Sequence, residues 1–231
     1  MDLIAATLAW LADPVNWQGP NGIPARLAEH VELSAVSLFL AACVAMPLGL
    51  WTGHTRRFSW FIVSSANAWR ALPSFAVIGL LVPFTTLIDP NSGFTLYPTL
   101  IAMIVLAGPP ILVNAYQGIA DVDRDLVEAA RAMGMRERQI MAGVEIPIAL
   151  PVLATGIRSA AVQVIATATL GATFGFGGLG RFIVLGDANQ DNGELFGGVV
   201  LVAALALTTL GAFLLVERRL LSAGLRRRTG S

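Results

Sequence analysis

The sequence predicts an all-α polytopic membrane protein of about five spans, and three observations carry that expectation. Of 231 residues, 55% are hydrophobic and only 13% are charged, against about 25% charged in soluble domains. Several apolar runs reach the roughly 20 residues that a helix needs to cross a hydrocarbon core of about 30 Å. The arginines gather between those runs rather than within them.

The elements follow in order. Residues 1–12 are apolar but too short to span, lack a basic start, and lead into Asp13, Pro14 and the turn-rich run Trp17-Gln18-Gly19-Pro20-Asn21-Gly22. Residues 1–25 are therefore expected to be an external, interfacial segment with Trp10 and Trp17 at headgroup level, the alternative being a disordered tail. The first span covers 33–51. The second, 58–88, is long but interrupted by Asn67, Arg70 and Pro73; the third, 96–116, contains Pro109 and Pro110. The fourth, 151–173, holds Arg158 and Gln163, and the fifth, 196–216, carries no charge and reads as a plain lipid-facing anchor.

Orientation follows from the basic residues, all of which are arginine. Eleven of them, Arg56 and Arg57, then Arg124, Arg131, Arg136 and Arg138, then Arg218, Arg219, Arg226, Arg227 and Arg228, mark the cytoplasmic side. This places the amino terminus outside and the basic tail, 217–231, inside, with the whole of 1–231 as one membrane domain.

Composition also excludes. Fifteen acidic residues balance fifteen basic ones, so no bulk positive field draws nucleic acid. Cys43 is the only cysteine, and with His30 and His54 the only histidines it makes neither a disulfide nor a zinc site. The glycine run 175–180 lacks the lysine of a phosphate cradle, and there is no GxxxxGK[ST] sequence. An intramembrane enzyme would need a Ser/His pair, paired Asp or metal ligands in the spans, and none is there. A channel would leave the long cytoplasmic loop, 119–150, without a purpose.

That loop is the informative segment. Asp123 is placed as an N-cap, Val122 and Val127 as a hydrophobic staple, and Gly134 as a C′ residue. Leu126, Ala130 and Met133 share one face of the intervening helix; Arg124, Glu128 and Arg131 share the other. A second helical stretch, 135–146, is expected to stop at Pro147 and Pro151 before the next span. Glu128-Ala129-Ala130 followed by Gly134, Ile146-Pro147 and Leu150-Pro151 resembles the EAA loop of ATP-binding cassette importers, closely in its first half and with wider spacing in its second. Asn67-Ala68-Trp69-Arg70-Ala71-Leu72-Pro73-Ser74, Gly108-Pro109-Pro110-Ile111-Leu112-Val113-Asn114 and Gly175-Phe176-Gly177-Gly178-Leu179-Gly180 are similar to the permease subunits of glycine betaine, carnitine and choline importers.

The resemblance implies a type I importer permease of methionine-permease-like fold. It implies a second permease subunit, identical or not, two cassette ATPases that bind ATP and Mg, and an external or periplasmic binding protein that delivers the solute; the chain itself carries no cofactor, no metal and no catalytic residue. Glu128, Ala129, Ala130, Arg131 and Gly134 would couple to the ATPase, the face bearing Glu128 and Arg131 meeting its groove. Path candidates are Asn67, Pro73, Ser74, Asn114, Tyr116 and Gln163. Phe176, Asp187 and Asp191 would face the binding protein. The alternative solute is methionine or another small molecule. Small and hydroxyl residues of the fourth span, 166–173, are expected to pack on the partner permease. Trp51, Trp60, Trp69 and Tyr97 are read as interface aromatics in preference to a cage for a quaternary ammonium group.

Overall fold

Spacing of small residues every four positions organises the centre of the molecule. In the computed structural model, residues 3–57 and 72–220 are described, together with Trp60, Ile62, Ser64, Ala68 and Trp69. The helices are α1 (Leu3–Ala12), α2 (Ile23–Thr55), α3 (Ser74–Ile88), α4 (Leu96–Ala120), α5 (Arg124–Ala132), α6 (Glu137–Ile140), α7 (Ile146–Gly171), α8 (Gly180–Ala188) and α9 (Asn192–Leu220). Among the described residues there is no strand.

Helix α4 lies between α2 and α7. The buried residues of α2 include Ser37, Ala41, Ala45, Gly49 and Gly53; those of α4 include Met103, Ala107, Ile111, Ala115 and Ile119; those of α7 include Gly156, Ala160, Val164 and Ala168. Each set repeats with a period of four, so each forms a ridge along one helix face. Where the ridge residues are Gly or Ala, backbones approach closely, and dispersion contacts supply attraction that a lipid solvent does not. A Cβ built on Gly49 would stand 2.5 Å from the Cβ of Ala115, and one on Gly53 2.8 Å from that of Ile119. Gly156 meets Asn114 in the same way, at 2.7 Å. Part of the small-residue run in the fourth span therefore packs within this subunit, since Thr167, Ala168 and Gly171 are buried here, while Ala166 and Thr173 remain exposed.

Four described helices are long and apolar enough to cross a membrane: α2, α4, the continuous helix Glu137–Phe174 and α9. No residue in the most apolar window of α9 is buried, as expected of a lipid-facing anchor. Within the expected second span, α3 has 15 residues, a rise of about 22 Å. Asn67 and Arg70 lie outside the described residues, as do Arg226, Arg227 and Arg228.

The prolines of the fourth span do not stop the preceding helix. Pro147 and Pro151 both lie in α7, which continues α6 through a π turn, Met141–Glu145. There the Ile146 N–H donates to Met141 O, five residues back. Widening the helix at that point lets a residue without an N–H enter the next turn without breaking the chain of helical bonds. Arg158, inside α7, pairs with Glu217 of α9 and also bonds the Thr155 hydroxyl at 3.5 Å. The guanidinium is thus paired, while Glu217 Oε1 has no hydrogen-bond partner.

The amino-terminal segment is ordered. Trp10 meets Phe182 edge-on with ring centroids 5.1 Å apart, and α1 packs along α9. Asn16 Nδ2 donates to Trp10 O and Trp17 Nε1 to Leu11 O, both at 2.8 Å, satisfying carbonyls that the end of a helix leaves open.

Candidate functional site

Two sets of functional groups stand at opposite ends of the bundle. At one end, the Asp123 carboxylate accepts from the Asp125 N–H at 2.9 Å and starts α5. Its end is closed by both bonds of a Schellman motif: Gly134 N–H to Arg131 O at 3.0 Å and Met135 N–H to Ala130 O at 3.2 Å. Gly134 has φ of +82°, a conformation that a Cβ disfavours. Val122 and Ala130 are buried beneath the helix.

Arg124, Glu128 and Arg131, the charged face that sequence reading assigned to the ATPase, are exposed. Arg131 grips Glu137 with Nε on Oε1 at 2.7 Å and Nη2 on Oε2 at 2.9 Å. That fork holds Glu137 below the usual carboxylate range and Arg131 above the usual guanidinium value. Glu128 lines a polar hollow of about 280 Å³ with Arg124, Arg131, Arg56, His54 and Glu145. Leu126 and Met133, by contrast, are 48% and 78% exposed, and Ala129 is exposed beside them. These apolar groups share the exposed surface of α5 with Arg124, Asp125, Glu128 and Arg131.

His54, Glu137 and Glu145 are groups that sequence reasoning passed over. His54, near the end of α2, places Nδ1 2.6 Å from Glu145 Oε2 and Nε2 3.2 Å from Glu137 Oε2. Ninety-one residues separate His54 from Glu145, so no local pattern announces the contact.

At the opposite end, the glycine run closes over the start of α2. Gly175 and Gly178 have φ of +85° and +73°, which turns the chain back from the 3₁₀ segment Ala172–Phe174 into α8. Gly178 N–H donates to Glu29 Oε2 at 2.8 Å, and Arg26 Nη1 donates to the same oxygen at 2.8 Å. The fully buried His30 sits between Leu179 N–H, 3.3 Å from Nδ1, and Ile165 O, 3.0 Å from Nε2. With Nδ1 accepting and Nε2 donating, the ring is in a single neutral tautomer. This latch joins the loop to α2 and α7 at once.

The remaining candidates scatter. Asn114 donates from Nδ2 to Pro110 O at 2.7 Å and rests against Gly156. Tyr116 lies on the α2 side of α4, under Gly49 and Gly53. Gln163 is half-buried in α7, seven residues and about 10 Å beyond Gly156. Pro73 caps α3 and Ser74 begins it; Asn67 lies outside the described residues. Within one subunit these groups occupy different surfaces. Of the three residues assigned to the binding protein, Asp187 is exposed. Asp191 caps α9, accepting from Gly193 N–H at 2.8 Å, and Phe176 packs inward against the core. Trp51 stands near the end of α2 and Tyr97 at the start of α4, at opposite ends of the bundle, too far apart for one cage. Among the described residues no group of His, Cys, Asp or Glu is placed to hold a metal ion.

Comparison with known proteins bears on this arrangement. Residues 45–227 match a family described as binding-protein-dependent transport system inner membrane component. A carnitine transport permease protein, OpuCB, of Listeria monocytogenes is 34% identical, over 83% of this chain and 85% of the relative. A choline transport system permease protein, OpuBB, of Bacillus subtilis is 32% identical, over 86% of this chain and 88% of its own. Among solved structures, an inward-facing MetNI methionine ABC transporter chain superposes with a TM-score of 0.78, covering 91% of this chain and all of the other. At 22% identity that likeness speaks for the fold alone.

Proposed function

The chain belongs to the family of binding-protein-dependent transport system inner membrane components, and from that premise we propose that it forms the path of an ATP-driven importer for a quaternary ammonium osmoprotectant such as carnitine, choline or glycine betaine. It is a membrane-embedded permease subunit with several apolar helices. The relatives named for carnitine and choline transport, matched over most of both chains, support the solute class. The alternative, methionine, has only the fold likeness behind it.

A second permease subunit completes the path, two cassette ATPases bind ATP and Mg, and an external binding protein brings the solute. The amino terminus is outside and the carboxyl terminus in the cytoplasm, on the arginine distribution. The observation that carries the coupling role is α5: a short helix fixed at both ends, with Leu126, Ala129 and Met133 exposed at its tip. Such a rigid knob with exposed apolar groups fits a groove on a partner better than it fits water, and a rigid protrusion can carry a displacement to the spans. Glu128, Ala130, Arg131 and Gly134 set its shape. The test is uptake by vesicles holding the assembled complex and its binding protein, comparing betaine, choline, carnitine and methionine. Import of methionine alone would remove the solute assignment.

A further inference from the structure

A lever is useful only if it is fastened to what it moves. Helix α5 is separated from α4 by the turn around Val122 and from α6 by Gly134, so its backbone connections alone would let it swing. Side chains close that freedom. Arg131 of α5 holds Glu137 of α6 by two bonds, Glu137 reaches His54 of α2, and His54 reaches Glu145 of the π turn. Glu145 is 4% exposed, so its carboxylate has little water to fall back on. The ring thus lies between two carboxylates on different helices, 2.6 Å from Glu145 and 3.2 Å from Glu137.

We propose that His54 is a positioning residue of the transport cycle: set between Glu137 and Glu145 it ties the ATPase-facing helix α5 to both the α2 and α7 spans, so that the three move as one body. Resting on the importer reading, this adds to it where the force enters the membrane. Among the groups around the ring, Glu137 and Glu145 face it with carboxylates, Arg131 holds Glu137 from behind, and Arg56, Arg124 and Glu128 line the adjoining hollow. Two paths thus lead inward, one along α2 to the tight Gly49 and Gly53 contacts and one along α7 toward Gly156.

The test uses the whole complex in vesicles, with His54→Leu, His54→Arg and Glu137→Gln compared with the unaltered chain. In His54→Leu, solute imported per ATP hydrolysed should fall by at least about fivefold, the low end of energetic couplings between sites, with ATPase co-purification and basal hydrolysis retained. His54→Arg, which offers several donors to the two carboxylates, should recover part of the ratio. Glu137→Gln alters an exposed position, so its expected partial loss is not a folding effect. Spin labels at Met133→Cys and Trp51→Cys, with Cys43→Ser, should give one narrow distance that ATP leaves unchanged, and a broadened one after His54→Leu. A wild-type ratio and a narrow distance in His54→Leu would overturn the proposal. So would loss of the ATPase from that variant, because His54 lies behind the contact rather than in it. If the unaltered complex shows no ATP-driven import, the importer reading falls, and this inference with it.

Discussion

Replacing Gly49 by alanine adds one methyl group to a close contact between α2 and α4. The new carbon would stand 2.5 Å from Ala115 Cβ and 2.8 Å from Leu112 O, whereas carbons in contact sit about 3.5–4.0 Å apart. Helices α2 and α4 must therefore part by about 1 Å along a ridge that continues through Ala45 and Gly53. Overpacking of this kind costs about 1–3 kcal/mol, and alanine returns up to about 1 kcal/mol through its better helix propensity. Gly211→Ala in α9 is the matched control, since nothing lies within 4 Å of its Cβ position and only the propensity gain applies. The two variants should differ by about 2 kcal/mol, and at roughly 2–4 °C per kcal/mol for a chain of this size that is about 4–8 °C in the thermal unfolding of detergent-purified protein. Ala115→Gly added to Gly49→Ala should recover part of the loss. If Gly49→Ala unfolds at or above the temperature of Gly211→Ala, the close-packed α2–α4 ridge is wrong.

Glu128→Arg and Gly134→Val lie outside the spans, so membrane abundance should hold while uptake and solute-stimulated ATP hydrolysis drop severely; full activity of both variants in reconstituted vesicles would free α5 of its coupling role. Arg158→Leu leaves the part-buried Glu217 without its partner and should destabilise by about 1–2 kcal/mol, below the cost of halving a fully buried pair, whereas Arg158→Leu with Glu217→Leu should regain most of it; the unfolding midpoints of the single and double variants decide this. Single cysteines at Asn91, Arg136 and Asn189 in a chain with Cys43→Ser should react with an impermeant reagent in intact cells at the first and third positions and not at the second; external labelling at position 136 would invert the topology.

What the sequence discloses about this protein is mostly what adjacent residues decide among themselves. Asp123 and Gly134 bound α5 through contacts reaching at most a few residues, so cap and corner are both readable in advance. The apolar content of 196–216 likewise needs no partner to be interpreted. Pro147 and Pro151 mislead for an equally local reason: proline does remove a helical donor, but a π turn upstream absorbs the loss, and no residue type demands a π turn. The four-residue ridges of α2, α4 and α7 are present in the sequence as Ser37, Ala41, Ala45, Gly49 and Gly53 and their counterparts. They become evidence of packing only when the helices are known to face one another. His54 with Glu145, and His30 with Leu179, are pairings across the fold, and nothing in either neighbourhood singles out its mate.

The Arg158–Glu217 pair also constrains how the protein is made. Its members are 59 residues apart, and at about 5–20 residues per second of synthesis the arginine waits some 3–12 seconds for its counter-ion. During that interval α7 must leave the translocon with a bare guanidinium, for which insertion at a helix centre costs about 2.5–3.5 kcal/mol. The small-residue seam with α4, already synthesised, is available to hold α7 in place meanwhile. Biogenesis thus has an order: α4 receives α7, and α9 arrives last to neutralise it.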